Sequence, residues 1–423
     1  MPRNSNTYYM LFEFFYIMQI IPLMLHLNAI DRKMDMWKKI IRSYDYSLIV
    51  TFFLLCLFGL MMIYSASSVT AVQRYEVASD YFYNKQKIHV IIASLFFIGA
   101  AIFPYKAYKN SKFLLVIVAG ISFLLLSLMV FGTVSNNAKS WIRLGGASLQ
   151  PSEFAKLVII IYMSAVYAKK QKYINSFNKG VTPPVILLVF FCTLIAAEPD
   201  FGTAAIIFFI GCTIIIASGM KLKSMWKLVV LGLICAVVLS PLILLQKDKI
   251  FTEEKMSRIT GYLEPFKYEQ GDGYHLVNSY LAIGSGGVTG TGLGQSVQKL
   301  GYLPEPHTDF IMAVIAEELG VLGVLIVVGG LGYLVLRGFY TAVKCRDPFG
   351  AMLAVGISSM IGIQSFINLG GVTGLIPITG VPLPLISYGG SSLLLLSLSL
   401  GILVNISMFV KYEKIYKKNR SSI

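Results

Sequence analysis

The chain has 423 residues, 56% of them apolar and only 13% charged, with a formal net charge of +15. Repeated runs of about twenty uncharged residues, each long enough to cross a hydrocarbon core of roughly 30 Å, exclude a soluble multidomain protein. The basic excess is scattered through short connections rather than gathered into one patch, which excludes a nucleic-acid binder.

Residues 1–42 come first. The stretch MLFEFFYIMQIIPLMLHLNAI is apolar but interrupted by Glu13, Gln19, Pro22 and His26. It has no charged leading region and no small-residue cleavage site, so it does not read as a secretory signal. An interfacial amphipathic helix and an extension from an upstream start codon, with Met34 or Met36 opening the functional chain, are both open readings.

Residues 43–412 read as an all-α polytopic membrane domain, followed by a basic tail over 413–423. Ten spans are expected near 47–65, 88–103, 113–131, 153–168, 183–198, 204–219, 228–245, 310–336, 349–369 and 388–410. Lipid cannot satisfy free backbone N–H and C=O groups, so each should be a helix. Assigning alternate connections to each side gathers Lys38, Lys39, Arg42, Lys106, Lys109, Lys112, Lys169, Lys170, Lys172, Lys221, Lys223, Arg337, Lys344 and the basic tail on one side. That side is cytoplasmic by the positive-inside rule, and both ends of the core lie there. The five cysteines form no CxxC and imply neither a disulfide framework nor a zinc site. On the outer side, the connection 246–309 is too long for an idle loop and too rich in aromatic and aliphatic residues for a disordered tether. Short amphipathic helices followed by a glycine-rich turn are expected there.

Polar residues that lipid should reject mark the candidate site. KSWIRLGG (139–146) places Trp141 and Arg143 at the outer surface, where an aromatic belt and a snorkelling arginine are the ordinary explanation. QPSEFAKL (150–157) starts the fourth span with Glu153 and Lys156 on one face, three residues apart. EPDFGTA (198–204) sets Glu198 and Asp200 about a turn. GSGGVTGTGLG (284–294) follows no strand and lacks a GK[ST] ending, so it suits close backbone packing better than phosphate binding. YLPEPHTDFIMAVIAEELG (302–320) then brings Glu305, His307 and Asp309 to the mouth of the eighth span. Glu317 and Glu318 follow roughly 12 Å deeper at ~1.5 Å per residue. Asp309 could be only a helix cap. Intramembrane glutamates cost at least ~2.5 kcal/mol each and call for a partner, for which Lys156 is the candidate.

The last outer connection, NLGGVTGLIPITGVPLPLISYGGSS (368–392), completes a pattern. With the HTDF and QPSEFAKL motifs it resembles the SEDS family of bacterial cell-envelope proteins, whose branches serve division, elongation and sporulation, over essentially 43–412. SYDYSLI (43–49) and 298–320 are most similar to the division branch. The resemblance implies a ten-helix fold, cytoplasmic ends and a large outer loop between helices 7 and 8. It also implies peptidoglycan glycosyltransferase activity: lipid II units joined by β-1,4 bonds with release of undecaprenyl pyrophosphate. Asp309 matches the essential carboxylate. Trp141, Arg143, Glu153, Lys156, Glu317 and Glu318 match other motif positions, while Glu198 stands where Gln is usual and Pro306 where a small residue is usual.

Chemically, Asp309 is expected to act as general base, flanked by His307. Arg143, Lys156, Arg258 or a divalent cation (Mg²⁺ or Mn²⁺) are candidates to steady the leaving pyrophosphate. No cofactor is otherwise required. No SxxK nucleophile lies outside, so a separate class B penicillin-binding protein should supply crosslinking, alongside other division membrane proteins. The rival readings are a lipid-linked-oligosaccharide transporter and a noncatalytic scaffold.

Overall fold

Backbone lying in hydrocarbon must hydrogen-bond to itself, and this chain does so mainly in helices. The computed structural model describes residues 37–417, apart from 132, 136–137, 145–146, 175–179, 181, 199, 222, 229 and 231–252. In chain order these form α1 (Tyr46–Gln73), α2 (Tyr81–Ile102), α3 (Ser111–Phe131), strands β1 (Thr133–Ser135), β2 (Ala138–Leu144) and β3 (Ala147–Leu149), α4 (Pro151–Lys169), α5 (Thr182–Ala197) and α6 (Phe201–Ala217). There follow α7 (Glu253–Leu263), α8 (Tyr274–Gly286), α9 (Ile311–Lys344), α10 (Pro348–Val372) and α11 (Gly390–Tyr412).

Among the described residues, seven helices are long and apolar enough to cross a membrane, namely α1, α2, α3, α4, α9, α10 and α11, while α5 and α6 are shorter apolar helices. The expected span 228–245 and the segment 1–36 lie outside or almost wholly outside the described residues. Helices α4, α10 and α11 form the buried centre, whereas α3 turns Leu115, Val116 and Phe123 outward toward lipid. At the end that the charge distribution assigns to the cytoplasm, Asp45 pairs with Arg337 at 2.7 Å and accepts a hydrogen bond from Ser407 at 3.2 Å. This contact ties the ends of α1, α9 and α11 together.

Two expectations are corrected. The domain is not wholly helical, because 133–149 folds into a three-stranded antiparallel sheet in the order β1-β2-β3, with Thr133 opposite Trp141 and Arg143 opposite Ser148. This segment is short, β-branched at Thr133, Val134 and Ile142, and too polar to enter lipid, so pairing with itself satisfies its backbone. The second correction concerns the eighth expected span. Helix α9 is broken at Gly320, whose φ of 60° and ψ of −151° leave the helical region.

The break exposes helix-end carbonyls inside the bundle, where water cannot reach them. The glycine-rich turn after α8 supplies the missing donors: Thr291 N–H to Glu317 O at 2.9 Å and Gly292 N–H to Glu318 O at 3.0 Å, while Val321 N–H donates to Val288 O at 3.1 Å. Glycine is required for the approach, since a Cβ on Gly290 would lie 2.1 Å from Glu318 O.

A matched pair of substitutions isolates this contact, because Gly290 and Gly219 both have φ of +77° but a Cβ on Gly219 meets nothing within 4 Å. Gly219→Ala should cost about 1–2 kcal/mol, the left-handed strain alone. Gly290→Ala should lower the thermal midpoint in detergent by clearly more; equal midpoints would show that the turn is not packed against α9.

Candidate active site

Pro304 and Pro306 stiffen the approach to α9, and Phe310, rather than Asp309, takes the N-cap position without any side-chain cap. The Thr308 hydroxyl lies 3.0 Å from Asp309 Oδ1 and 3.4 Å from Glu305 Oε2, so it can serve either carboxylate. Glu305 in turn meets Arg74 at 3.3 Å and Tyr75 OH at 3.5 Å. Burial pushes the Glu305 carboxyl above its usual range, with the Arg74 charge opposing the rise.

The backbone of 307–309 is held from behind by the connection between α10 and α11. Tyr388 N–H donates to His307 O at 2.9 Å, the Ser387 hydroxyl donates to Thr308 O, and Asn368 Nδ2 donates to both Asp309 O and Val381 O at 2.8 Å. Each backbone carbonyl from 307 to 309 thus has a partner on another element. His307 is 2% exposed, with its ring 4.4 Å from Phe82 and 5.7 Å from Tyr388. Burial, reinforced by Arg74, pushes its imidazole down to about 4, so it is neutral near pH 7.

Glu317 and Glu318 do not pair with Lys156. Glu318 Oε1 meets Lys299 Nζ at 2.6 Å, the Ser65 hydroxyl donates to Glu318 at 2.7 Å, and all three residues are buried. Glu317 accepts from Val297 N–H at 2.8 Å and from the Ser296 hydroxyl, at the start of the short 3₁₀ turn Gln298–Leu300. The two glutamates therefore bind the outer loop to α1 and α9. Lys299 escaped the sequence reading because it lies in a polar loop, where a lysine is expected to reach water. The available signal was the cation deficit: two carboxylates in the first eight residues of α9, next to a proline-stiffened loop holding a lysine.

Lys156 is fully buried and pairs with Glu153 at 2.7 Å and with Gln364 Oε1 at 3.3 Å. The i,i+3 spacing on one helix face outcompetes a partner on α9 because it demands no long-range alignment. Gln364 also donates to Pro382 O at 3.2 Å, so this pair sits behind the same connection that holds Asp309. Asp200 caps α6 through Thr203 N–H at 3.0 Å and accepts from Gln150 Nε2 at 3.3 Å. Glu198 is 3% exposed, and neither of its carboxylate oxygens has a hydrogen-bond partner among the described residues. Trp141 and Arg143 lie on β2, and Arg258 lies on α7; the side chains of both arginines fall outside the described residues. Among the described residues no three His, Cys, Asp or Glu side chains converge to hold a metal ion, so the protein offers no cage there for a divalent cation.

The fold and site define a multi-pass membrane protein in which Asp309 lies at the start of α9 and buried ion pairs brace the elements around it. The chain belongs to the FtsW/RodA/SpoVE family of cell cycle proteins, whose model matches residues 45–412. It is 57% identical over 383 residues to the probable peptidoglycan glycosyltransferase FtsW of Bacillus subtilis, covering 90% of this chain and 95% of that protein. Against the stage V sporulation protein E of the same organism it is 38% identical, covering 88% and 97%. In fold it is similar to a chain of a peptidoglycan synthase complex that coordinates polymerization and crosslinking, with a TM-score of 0.68 at 23% identity, covering 87% of this chain and 98% of that one. The rod shape determining protein RodA of Thermus thermophilus gives a TM-score of 0.60 at 23% identity, covering 86% and 96%.

Two outcomes test this description. Lys299→Met leaves Glu318 buried and unpaired, which should cost about 3–5 kcal/mol, whereas Lys299→Met with Glu318→Met should recover most of it. Thermal midpoints in detergent that treat the single and double variants alike would rule the ion pair out as the brace. For His307 the folded value lies below the unfolded one, so its contribution is present above about pH 6.5 and is lost as pH falls toward 4. From pH 7 to pH 5 that loss is roughly 2 kcal/mol. His307→Phe should show a smaller acid-induced fall in midpoint than the wild type, and an equal fall would assign the acid sensitivity elsewhere.

Proposed function

We infer that this protein is a peptidoglycan glycosyltransferase of the division branch, acting on lipid II at the outer face of the bacterial plasma membrane. The observation that carries the reading is Asp309: a carboxylate at the outer mouth, on backbone fixed at 307–309 by three neighbouring hydrogen bonds, in a chain 57% identical to a probable peptidoglycan glycosyltransferase. Ten spans with cytoplasmic ends, the loop 246–309 outside and septal placement belong to the same reading.

Asp309 accepts the proton of the acceptor sugar's 4-hydroxyl. The freed oxygen attacks the donor's anomeric carbon, and the pyrophosphate leaves with the electrons of the broken C–O bond, inverting the configuration. Both polyprenyl tails stay in lipid while the sugars meet above it. Thr308 steadies the carboxylate, and its hydroxyl can shift to Glu305 when Asp309 takes the proton. His307, neutral and enclosed by Phe82 and Tyr388, positions the loop rather than moving protons.

The leaving pyrophosphate calls for positive charge. Arg143 on β2 and Arg258 on α7 are carried by outer elements. Lys156, with no exposed surface and a bond to Glu153, is a structural counterion instead. Crosslinking belongs to a partner transpeptidase of the class B penicillin-binding type, working with other division proteins.

Purified protein reconstituted with lipid II tests the assignment. Asp309→Asn should lower the polymerisation rate at least ~10²-fold while leaving the thermal midpoint near that of the wild type. Polymer formed at the wild-type rate would remove Asp309 as the base.

A further inference from the structure

On the outer side of Asp309, the turn between α1 and α2 carries aromatic rings that the reaction above does not use. Tyr75 is 43% exposed and Tyr81 36% exposed. Both rings pack at right angles against buried Phe82, with centroids 5.2 and 5.3 Å away, and Phe82 is the ring that contacts His307. Arg74 lies over Tyr75 at 5.8 Å and Lys85 over Tyr81 at 4.4 Å. The rings are thus held in place on one side and presented on the other, each beside a cation.

They are also connected to the base. Tyr75 OH reaches Glu305 at 3.5 Å, and the Thr308 hydroxyl lies between Glu305 and Asp309. Inward of this line the backbone of 307–309 is occupied by Asn368, Ser387 and Tyr388. The line from Asp309 through Thr308 and Glu305 thus ends at the α1–α2 turn, on the side away from these hydrogen bonds.

Rings near a membrane often serve as an interfacial belt, but the length of α1 argues against that here. It starts beside Asp45, which pairs with Arg337 at the inner end, and runs for 28 residues. At ~1.5 Å per residue it spans about 42 Å, some 12 Å more than a hydrocarbon core of roughly 30 Å. An average tilt of about 20° shortens the span by only about 3 Å. The turn beyond it contains Arg74, Glu76 and Asp80, as a segment standing in the aqueous layer should.

We propose that Tyr75 and Tyr81, with Arg74 and Lys85, form a platform that holds the growing glycan strand as it leaves Asp309. The inference rests on the polymerase reading. A pyranose presents a face of C–H groups, positively polarised, that packs on the negative face of an aromatic ring. The peptide stems of such a strand carry carboxylates, for which Arg74 and Lys85 are complementary at the platform edge. A strand held between additions is extended again rather than released, so the platform sets product length.

The test is the length distribution of glycan strands made from lipid II by the full-length protein, read on gels beside the rate of lipid II consumption. In Tyr75→Ala/Tyr81→Ala, mean strand length should fall at least about threefold, and by a larger factor than the consumption rate. Tyr75→Phe/Tyr81→Phe keeps the rings, loses the hydroxyl contact to Glu305 and should keep long strands. Wild-type lengths from the alanine variant overturn the platform, including the case in which only incorporation into vesicles declines, as a membrane-belt role predicts. Short strands from both variants assign the effect to the Tyr75 hydroxyl and overturn it as well. A wild-type protein that makes no polymer at all is a failure of the polymerase reading and takes the platform with it.

Discussion

The constraint on which the outer half of this molecule depends is the satisfaction of Glu317 and Glu318 inside the bundle. An ionised carboxylate at that depth cannot remain unpaired, and helix α9 has no cation within reach on its own face. The protein answers by folding an outer loop down onto α9. Lys299 and Ser65 meet Glu318, while Ser296 and the N–H of Val297 meet Glu317. The break at Gly320 completes the arrangement, because its freed carbonyls accept from the glycine-rich turn of the same loop. A buried ion pair of this type adds little net stability compared with an apolar packing, but it tolerates only one register. That register fixes the loop in which Asp309 follows Lys299 by ten residues.

From this anchor the site is assembled by convergence. The loop brings 305–309 to the outer mouth, the connection between α10 and α11 grips the backbone behind it, and the α1–α2 turn closes the flank through Arg74, Tyr75 and Phe82. Asp309 is consequently held at its backbone by Asn368, with the Thr308 hydroxyl beside its carboxylate. The second buried pair, Glu153 with Lys156, meets Gln364 of α10, which donates to Pro382 O in the same α10–α11 connection. Both pairs are buried and support the elements around Asp309 from inside.

Much of the architecture was legible in the residues. Apolar runs located the helices α1 to α6 and α9 to α11, because the demand that backbone in lipid bond to itself leaves almost no alternative. Proline, histidine and aspartate at the mouth of α9 singled out the loop whose backbone the connection between α10 and α11 grips in the structure. The strands of 133–149 were missed because pairing across so short a segment leaves no clear alternation of apolar and polar residues. Which residue takes the N-cap position was not legible either: the helix starts at Ile311, so Phe310 rather than Asp309 precedes it.

What the sequence determined by itself is therefore the mostly helical membrane fold, its family and the positions of the acidic residues along the chain. All of these follow from local properties: hydropathy, charge and motif. Only the tertiary structure decided which cation meets which carboxylate. Lys156 turned to Glu153 on its own helix, and Lys299 came from a loop to Glu318. Ion-pair partners inside a bundle are chosen by which elements can be brought together without leaving another polar group unsatisfied, and that is a property of the whole packing rather than of any stretch of it.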